Sequence, residues 1–208
     1  MVGFVAWCEG LRRNLCVPTP LPRLAVSVGA INGDSDSMQL YSPSIVGPSP
    51  GWDSEVMVDH SCRLLTTLLQ VCGKEILAMD IVREDKYAAA KMLYQLPNTV
   101  VLSHGIQDGA NGPILNYGNL AAQRLFNCSW DAFTTMPSTY TAEQPNREER
   151  RALLQRVSAI GFIDDYSGVR IAAGGRRFTI RNACVWNIVV DGTRLGQAAC
   201  FHEYEYIP

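Results

Sequence analysis

The chain has 208 residues, a formal net charge of −2, 47% hydrophobic and 18% charged residues. That length supports one well-buried domain with appendages, and the composition is that of a globular protein. A near-neutral charge excludes the general attraction to nucleic acid that a clustered basic face would supply. No apolar run approaches the roughly 20 residues of a membrane span.

Six of the 11 prolines fall within residues 1–50. "GDSDSMQLYSPSIVGPSPG" mixes Ser, Pro and Gly with few large apolar groups, so residues 1–50 read as a flexible leader. Their three early arginines against the single Glu9 give them a faint transit-peptide character. Residues 52–97 read as two amphipathic helices. "WDSEVMVDHSCRLLTTLLQVCGKEIL" places Val56, Leu64, Leu65, Leu68, Leu69 and Cys72 near helical spacing, with Gly73 as its end. "REDKYAAAKMLYQL" forms the second helix, stopped by Pro97. Both stripes need a partner surface, on the sheet of the same chain or on a second copy.

Residues 98–206 read as the core. "NTVVLSHG" is a strand, "QDGANGP" a turn and "PILNY" a returning strand. "GNLAAQRLF", with Asn119 as N-cap, and "SWDAF" are short helices. "NREERRALLQRVSAIG" is a longer helix with Asn146 as its expected cap, a stripe of Leu153, Leu154, Val157 and Ile160, and Gly161 as its end. Arg147, Arg150, Arg151 and Arg156 are interleaved with Glu148 and Glu149 and read as a solvated face of this helix.

The remainder reads as a three-stranded meander turned at Gly174-Gly175 and Asp191-Gly192. Phe178, Ile180, Cys184, Trp186 and Ile188 alternate with Arg177, Thr179, Arg181 and Asn187, which predicts one buried face and one wet face. The fold class expected is α+β: a five-stranded antiparallel sheet with helices on one face, preceded by the two amphipathic helices.

The order of elements resembles a PAS domain. "VVLSHG", "PILNYGNLAAQRLF", "TAEQPNREERRALL", "GFIDDYSGVRIAAGGRRFTI" and "VWNIV…GQAACF" resemble, more specifically, the MEKHLA domain family, over about His60 to Phe201. The six-letter string that names the family is missing, and neither homeodomain nor zipper heptads precede the domain, so the chain looks like the free-standing branch. The resemblance implies a sheet-and-helix pocket and self-association or a protein partner. It carries over neither DNA binding nor any catalytic residue.

The adjacent Asp164 and Asp165 would point to opposite faces of a strand, so they converge on one substrate only across a bulge. Their structural alternative is one acid in solvent and the other paired with Arg170, Arg176 or Arg177, or bonded to the backbone near Ser167-Gly168. His60, His104 and His202 have no metal-ligand spacing, although His104 ends a strand where a pocket mouth could lie. Cysteines at 8, 16, 62, 72, 128, 184 and 200 show no CxxC pair and read as reduced thiols. Cys128 in "FNCSW" departs from the Asn-Cys-Arg-Phe-Leu motif of flavin-reactive relatives, and no cofactor motif is legible.

Asn182 interrupts the presumed inward face of the meander, and a buried amide needs a partner from the backbone or from a ligand. Asn116, Tyr117, Asn182, Trp186 and Gln197 are therefore the candidate pocket residues, with stitching of sheet to helices as their structural alternative. The expected function is a non-enzymatic sensor or interaction module, binding a small ligand or associating as a homodimer or with a partner protein. The alternative is a small enzyme using Asp164, Asp165 and His104 as acid–base groups. No contact with nucleic acid or membrane is expected, and the expected compartment is the cytoplasm, or a plastid if the leader is a transit peptide.

Overall fold

Ser54 Oγ accepts the Met57 N–H and starts α1 (Glu55–Cys72), which Gly73 ends in a left-handed conformation with its N–H on Leu69 O. The computed structural model describes residues 51–109, 112–143 and 146–208. The leader expected over residues 1–50 lies outside these residues, as does the middle of the "QDGANGP" turn. The expected second helix, over residues 83–96, is α3 (Lys86–Gln95), and an unexpected short helix, α2 (Met79–Glu84), precedes it. Asp85 divides them because its extended backbone ends α2 while its carboxylate caps Ala88 of α3.

After them come β1 (Val100–Gly109), β2 (Gly112–Gly118), α4 (Leu120–Phe126), α5 (Trp130–Thr135) and a 3₁₀ turn at Ser138–Thr141. Then follow α6 (Arg147–Ile160), β3 (Phe162–Ile171), β4 (Arg177–Val190), β5 (Thr193–Phe201) and β6 (Glu203–Tyr206). The antiparallel sheet has the order β2-β1-β5-β4-β3, and β6 pairs with β4 beyond the end of β5. The α+β class read from the sequence is the one observed, with the sixth strand as an addition.

Local chemistry sets most boundaries. Asn119 is fully buried and makes four bonds: Oδ1 accepts from Ala122 N and Val101 N, and Nδ2 donates to Thr99 O and Leu93 O. One side chain thus caps α4 and fastens it to β1. Asn146 does not cap α6; its backbone is already helical and its side chain makes no cap bond. Gly118 faces Phe133 so closely that a Cβ would sit 2.5 Å from the ring, which fixes the approach of α5 to β2.

The sheet is buried on both faces, which corrects the expectation of one wet face. On one side Phe126, Phe133, Leu153 and Val157 of α4, α5 and α6 pack on Val100, Leu115, Ile163, Phe178, Ile180, Val185 and Phe201. On the other, Leu64, Leu65, Leu68 and Leu93 of α1 and α3 pack on Val101, Tyr117, Cys184, Trp186, Ile188 and Ala198. The amphipathic helices therefore cover the sheet of their own chain.

Trp186 belongs to this second layer, and not beside Phe178 and Ile180 as simple alternation implies. The cause is Asn182, at φ +51°, where Arg181 and Asn182 together oppose Ser167 in the β3–β4 ladder. This β-bulge turns the following side chains over, so Ala183 and Val185 rejoin Phe178 and Ile180 while Cys184 and Trp186 face α1.

Candidate functional site

Between the sheet and the α4–α6 layer lies a cavity of about 60 Å³. Its walls are mostly apolar, among them Leu102, Phe126, Ile180, Val185 and Phe201, and its polar groups are His104, Thr141, Arg150, Tyr166, Arg170 and Gln197. A wider basin of about 520 Å³ opens beside it, between α6, the β1–β2 hairpin and β5. His104, Arg150, Leu154 and Gln197 line both spaces and form the wall they share.

The polar wall is built by strand and helix together. Gln197 Nε2 donates to Leu154 O at 3.1 Å and to Asn187 Oδ1 at 3.0 Å. Asn187 Nδ2 donates to Val157 O at 2.9 Å. This pair ties α6 to β4 and β5 beside the cavity. Arg170 Nη2 donates to Tyr166 Oη at 2.6 Å and its Nη1 to Val169 O at 2.7 Å. Burial raises the Tyr166 phenol above its ordinary range. Gly168 makes room for this pair, since a Cβ there would collide with the Tyr166 hydroxyl.

The five residues nominated from sequence do not meet in one pocket. Gln197 lines the cavity. Asn116 and Tyr117 do not, because Asn116 is an extra residue in β2 between the pairs Ser103–Tyr117 and His104–Leu115. Its Oδ1 accepts from Ser103 Oγ at 2.7 Å, and His60 Nε2 lies 2.9 Å from the same hydroxyl. Tyr117 is buried in the second layer, where burial pushes its phenol up.

Trp186 lies under α1, its Nε1 donating to Thr67 Oγ1 at 3.0 Å. Asn182 is exposed, with Nδ2 on Glu203 Oε2 at 2.9 Å. The inward amide of β4 is instead Asn187, which the bulge brings round and which sequence reasoning passed over. Arg150 and Arg170 were also passed over as cavity residues. Arg150 lies three, four and seven residues before Leu153, Leu154 and Val157, on the apolar stripe of its own helix, and that spacing was the available signal.

Asp164 and Asp165 do sit in a bulge, together opposing Cys184, but both are exposed and neither lines the cavity or the basin. Asp164 pairs with Lys74 Nζ at 3.1 Å, both side chains about half exposed. Such a pair contributes little, so Asp164→Asn is expected to change stability by less than about 1 kcal/mol, checked by urea unfolding. His104, whose Nδ1 is 2.8 Å from Gly105 O, is the one member of that trio at the cavity.

Cys128 is half-buried, its thiol on Phe126 O at 3.4 Å and pushed above its ordinary range by burial. It is not part of the cavity wall. Cys72 and Cys184 approach to 3.4 Å in the second layer, and Cys184 pairs across the ladder with Cys200. Among the described residues no group of three His, Cys, Asp or Glu could hold a metal ion. Nor is any helix there long and apolar enough to cross a membrane.

An antiparallel sheet with a small, mostly apolar cavity between it and a helical layer is the class of domain these features define. The MEKHLA domain model matches residues 58–206, and the chain belongs to the MEKHLA domain family. No curated protein matches it. Among solved structures it is similar to a PAS domain from Colwellia psychrerythraea (TM-score 0.47, 13% identity, covering 58% of this chain and 94% of that one). It is also similar to the PAS domain of a LuxR-family transcriptional regulator from Burkholderia thailandensis, solved with ethanol (TM-score 0.41, 13% identity, 56% and 96% covered). A third likeness is to the LOV protein of Rhodobacter sphaeroides (TM-score 0.44, 7% identity, 54% and 62% covered).

Proposed function

We propose that this MEKHLA domain is a non-enzymatic sensory module that takes a small molecule into the cavity and signals its occupancy to a protein partner or a second copy. The observation that carries this reading is the pair of adjoining spaces, a small one with mostly apolar walls and a wider, more polar one, that share the wall of His104, Arg150, Leu154 and Gln197. A mostly apolar concavity with a few convergent polar groups is the usual form of a small-molecule site. The acids that could serve a reaction lie away from it, and the roofing helix α6 is held to the sheet beside the cavity by a few side-chain bonds. Such a roof can change its seating when the cavity fills.

Native mass spectrometry of the freshly purified full chain tests the reading. A stoichiometric small molecule released on denaturation is the expected result, and the same spectrum gives the oligomeric state. Protein that carries no added mass, and whose thermal midpoint does not respond to a library of metabolites, would refute it.

A further inference from the structure

Arg150 occupies a position unfavourable to an arginine. It lies at the end of the first turn of α6, where the helix's unpaired N–H groups already create a positive potential. Its side chain is only 8% exposed and borders both the cavity and the basin. Among the described residues no carboxylate forms an ion pair with its guanidinium, and no group accepts a hydrogen bond from it. Glu149, the adjacent acid, is exposed and pairs with neither Arg150 nor Arg170.

The same cavity holds a second guanidinium, Arg170, which is 6% exposed and bonded to the neutral groups Tyr166 Oη and Val169 O. Burial, and after it the like charge of Arg170, lowers Arg150 to about 10. Around the basin stand Arg147, Arg151 and Arg194, and among the described residues no aspartate or glutamate lines it. Arg194 is held by Ser158 Oγ at 2.6 Å, and Arg147 lies over the Tyr140 ring. A buried charge without a counter-charge is strongly destabilising. A ligand that brings the opposite charge removes that penalty, and the planar guanidinium fork matches an oxyanion.

Building on the ligand-binding reading above, we propose that the ligand is a small organic anion with a short apolar tail. Its carboxylate or phosphate oxygens are received by Arg150 at the junction of the two spaces. Its tail enters the cavity between Leu102, Phe126, Ile180, Val185 and Phe201. The sizes agree with this orientation. The cavity, at about 60 Å³, is far below the several hundred Å³ of a drug-sized site and takes only a few carbons. The basin, at about 520 Å³, has room for the hydrated head group.

The test is calorimetric titration of the full chain with hexanoate, hexyl phosphate, inorganic phosphate and uncharged 1-hexanol, alongside thermal melts. At least one anionic amphiphile is expected to bind about tenfold or more tightly than 1-hexanol and than inorganic phosphate. Arg150→Met is expected to abolish that preference. Without ligand its thermal midpoint should be at or above the parent's, because Met keeps an apolar stem and removes the buried charge. Arg150→Lys should retain weakened binding, as a point charge without the fork.

Equal binding of 1-hexanol, or anion binding that Arg150→Met leaves intact, would overturn the anion assignment while leaving the cavity a ligand site. Inorganic phosphate matching hexyl phosphate would overturn the tail. A lower midpoint of unliganded Arg150→Met would mean that the arginine already has an internal counterpart, and would overturn the assignment too. Failure of all four probes, together with no co-purified molecule, would remove the ligand-binding reading and this inference with it.

Discussion

Replacing Trp186 with alanine is expected to destabilise the protein by about 3–5 kcal/mol, the range for deleting a large aromatic side chain from a packed core. The indole is fully buried against α1, in the layer that includes Leu64, Leu65 and Leu68. Its N–H donates to Thr67 Oγ1, whose own hydroxyl donates to Arg63 O at 2.7 Å. Truncation at 186 therefore leaves a void and no orphaned polar group. Thr67→Val does the reverse: it keeps the ring in place and strands its N–H, at about 1–3 kcal/mol. Urea unfolding monitored by helical circular dichroism reads both, with the slope unchanged if only stability is altered. A loss of about 1 kcal/mol or less for Trp186→Ala would mean that α1 is not seated on the sheet as described.

Acidification is expected to weaken the fold through His60. Burial, with a smaller contribution from Arg63, lowers its pKa from 6.5 to about 4. Its Nε2 lies 2.9 Å from Ser103 Oγ, which in turn donates to Asn116 Oδ1. This arrangement suits a neutral imidazole with the proton on Nε2, and Tyr117 packs nearby. In the unfolded chain His60 binds a proton below about pH 6.5, whereas in the folded chain it resists until about pH 4. Its contribution is thus fully present above pH 6.5, is lost progressively as the pH falls from there, and is gone by about pH 4, amounting to about 3 kcal/mol at one pH unit per 1.36 kcal/mol. The check compares urea midpoints at several pH values in this window for the parent and His60→Gln. The variant starts lower, having lost the buried bond, and should decline less steeply. Parallel slopes would show that the imidazole titrates alike in both states.

Where backbone chemistry is local, the sequence was enough to read it. Gly73 and Asn119 end and begin helices as expected, and both glycine-containing turns of the meander take positive φ. The site was less legible because it depends on three bulges, at Asn116, at Asp164–Asp165 and at Arg181–Asn182. Each adds one residue to one strand, and one residue is enough to exchange the faces of everything that follows. The stretch Ala183–Val190 did carry a warning. It is apolar at nearly every position, as a strand buried on both sides must be, and not at every second one. Arg150 escaped for a related reason. A charge among other charges reads as solvated, although its helical spacing to Leu153, Leu154 and Val157 placed it with the apolar groups.

The bulge at Asn182 has a further effect on how the molecule comes apart. Because β4 sends Val185 into one layer and Trp186 into the other, the two layers share a wall one backbone thick. Neither can melt and leave the other standing, since losing either one strips the common strand of half its support. Heat should therefore take the described region apart in one step, with the covering helices of residues 55–95 and the roof over the cavity released together.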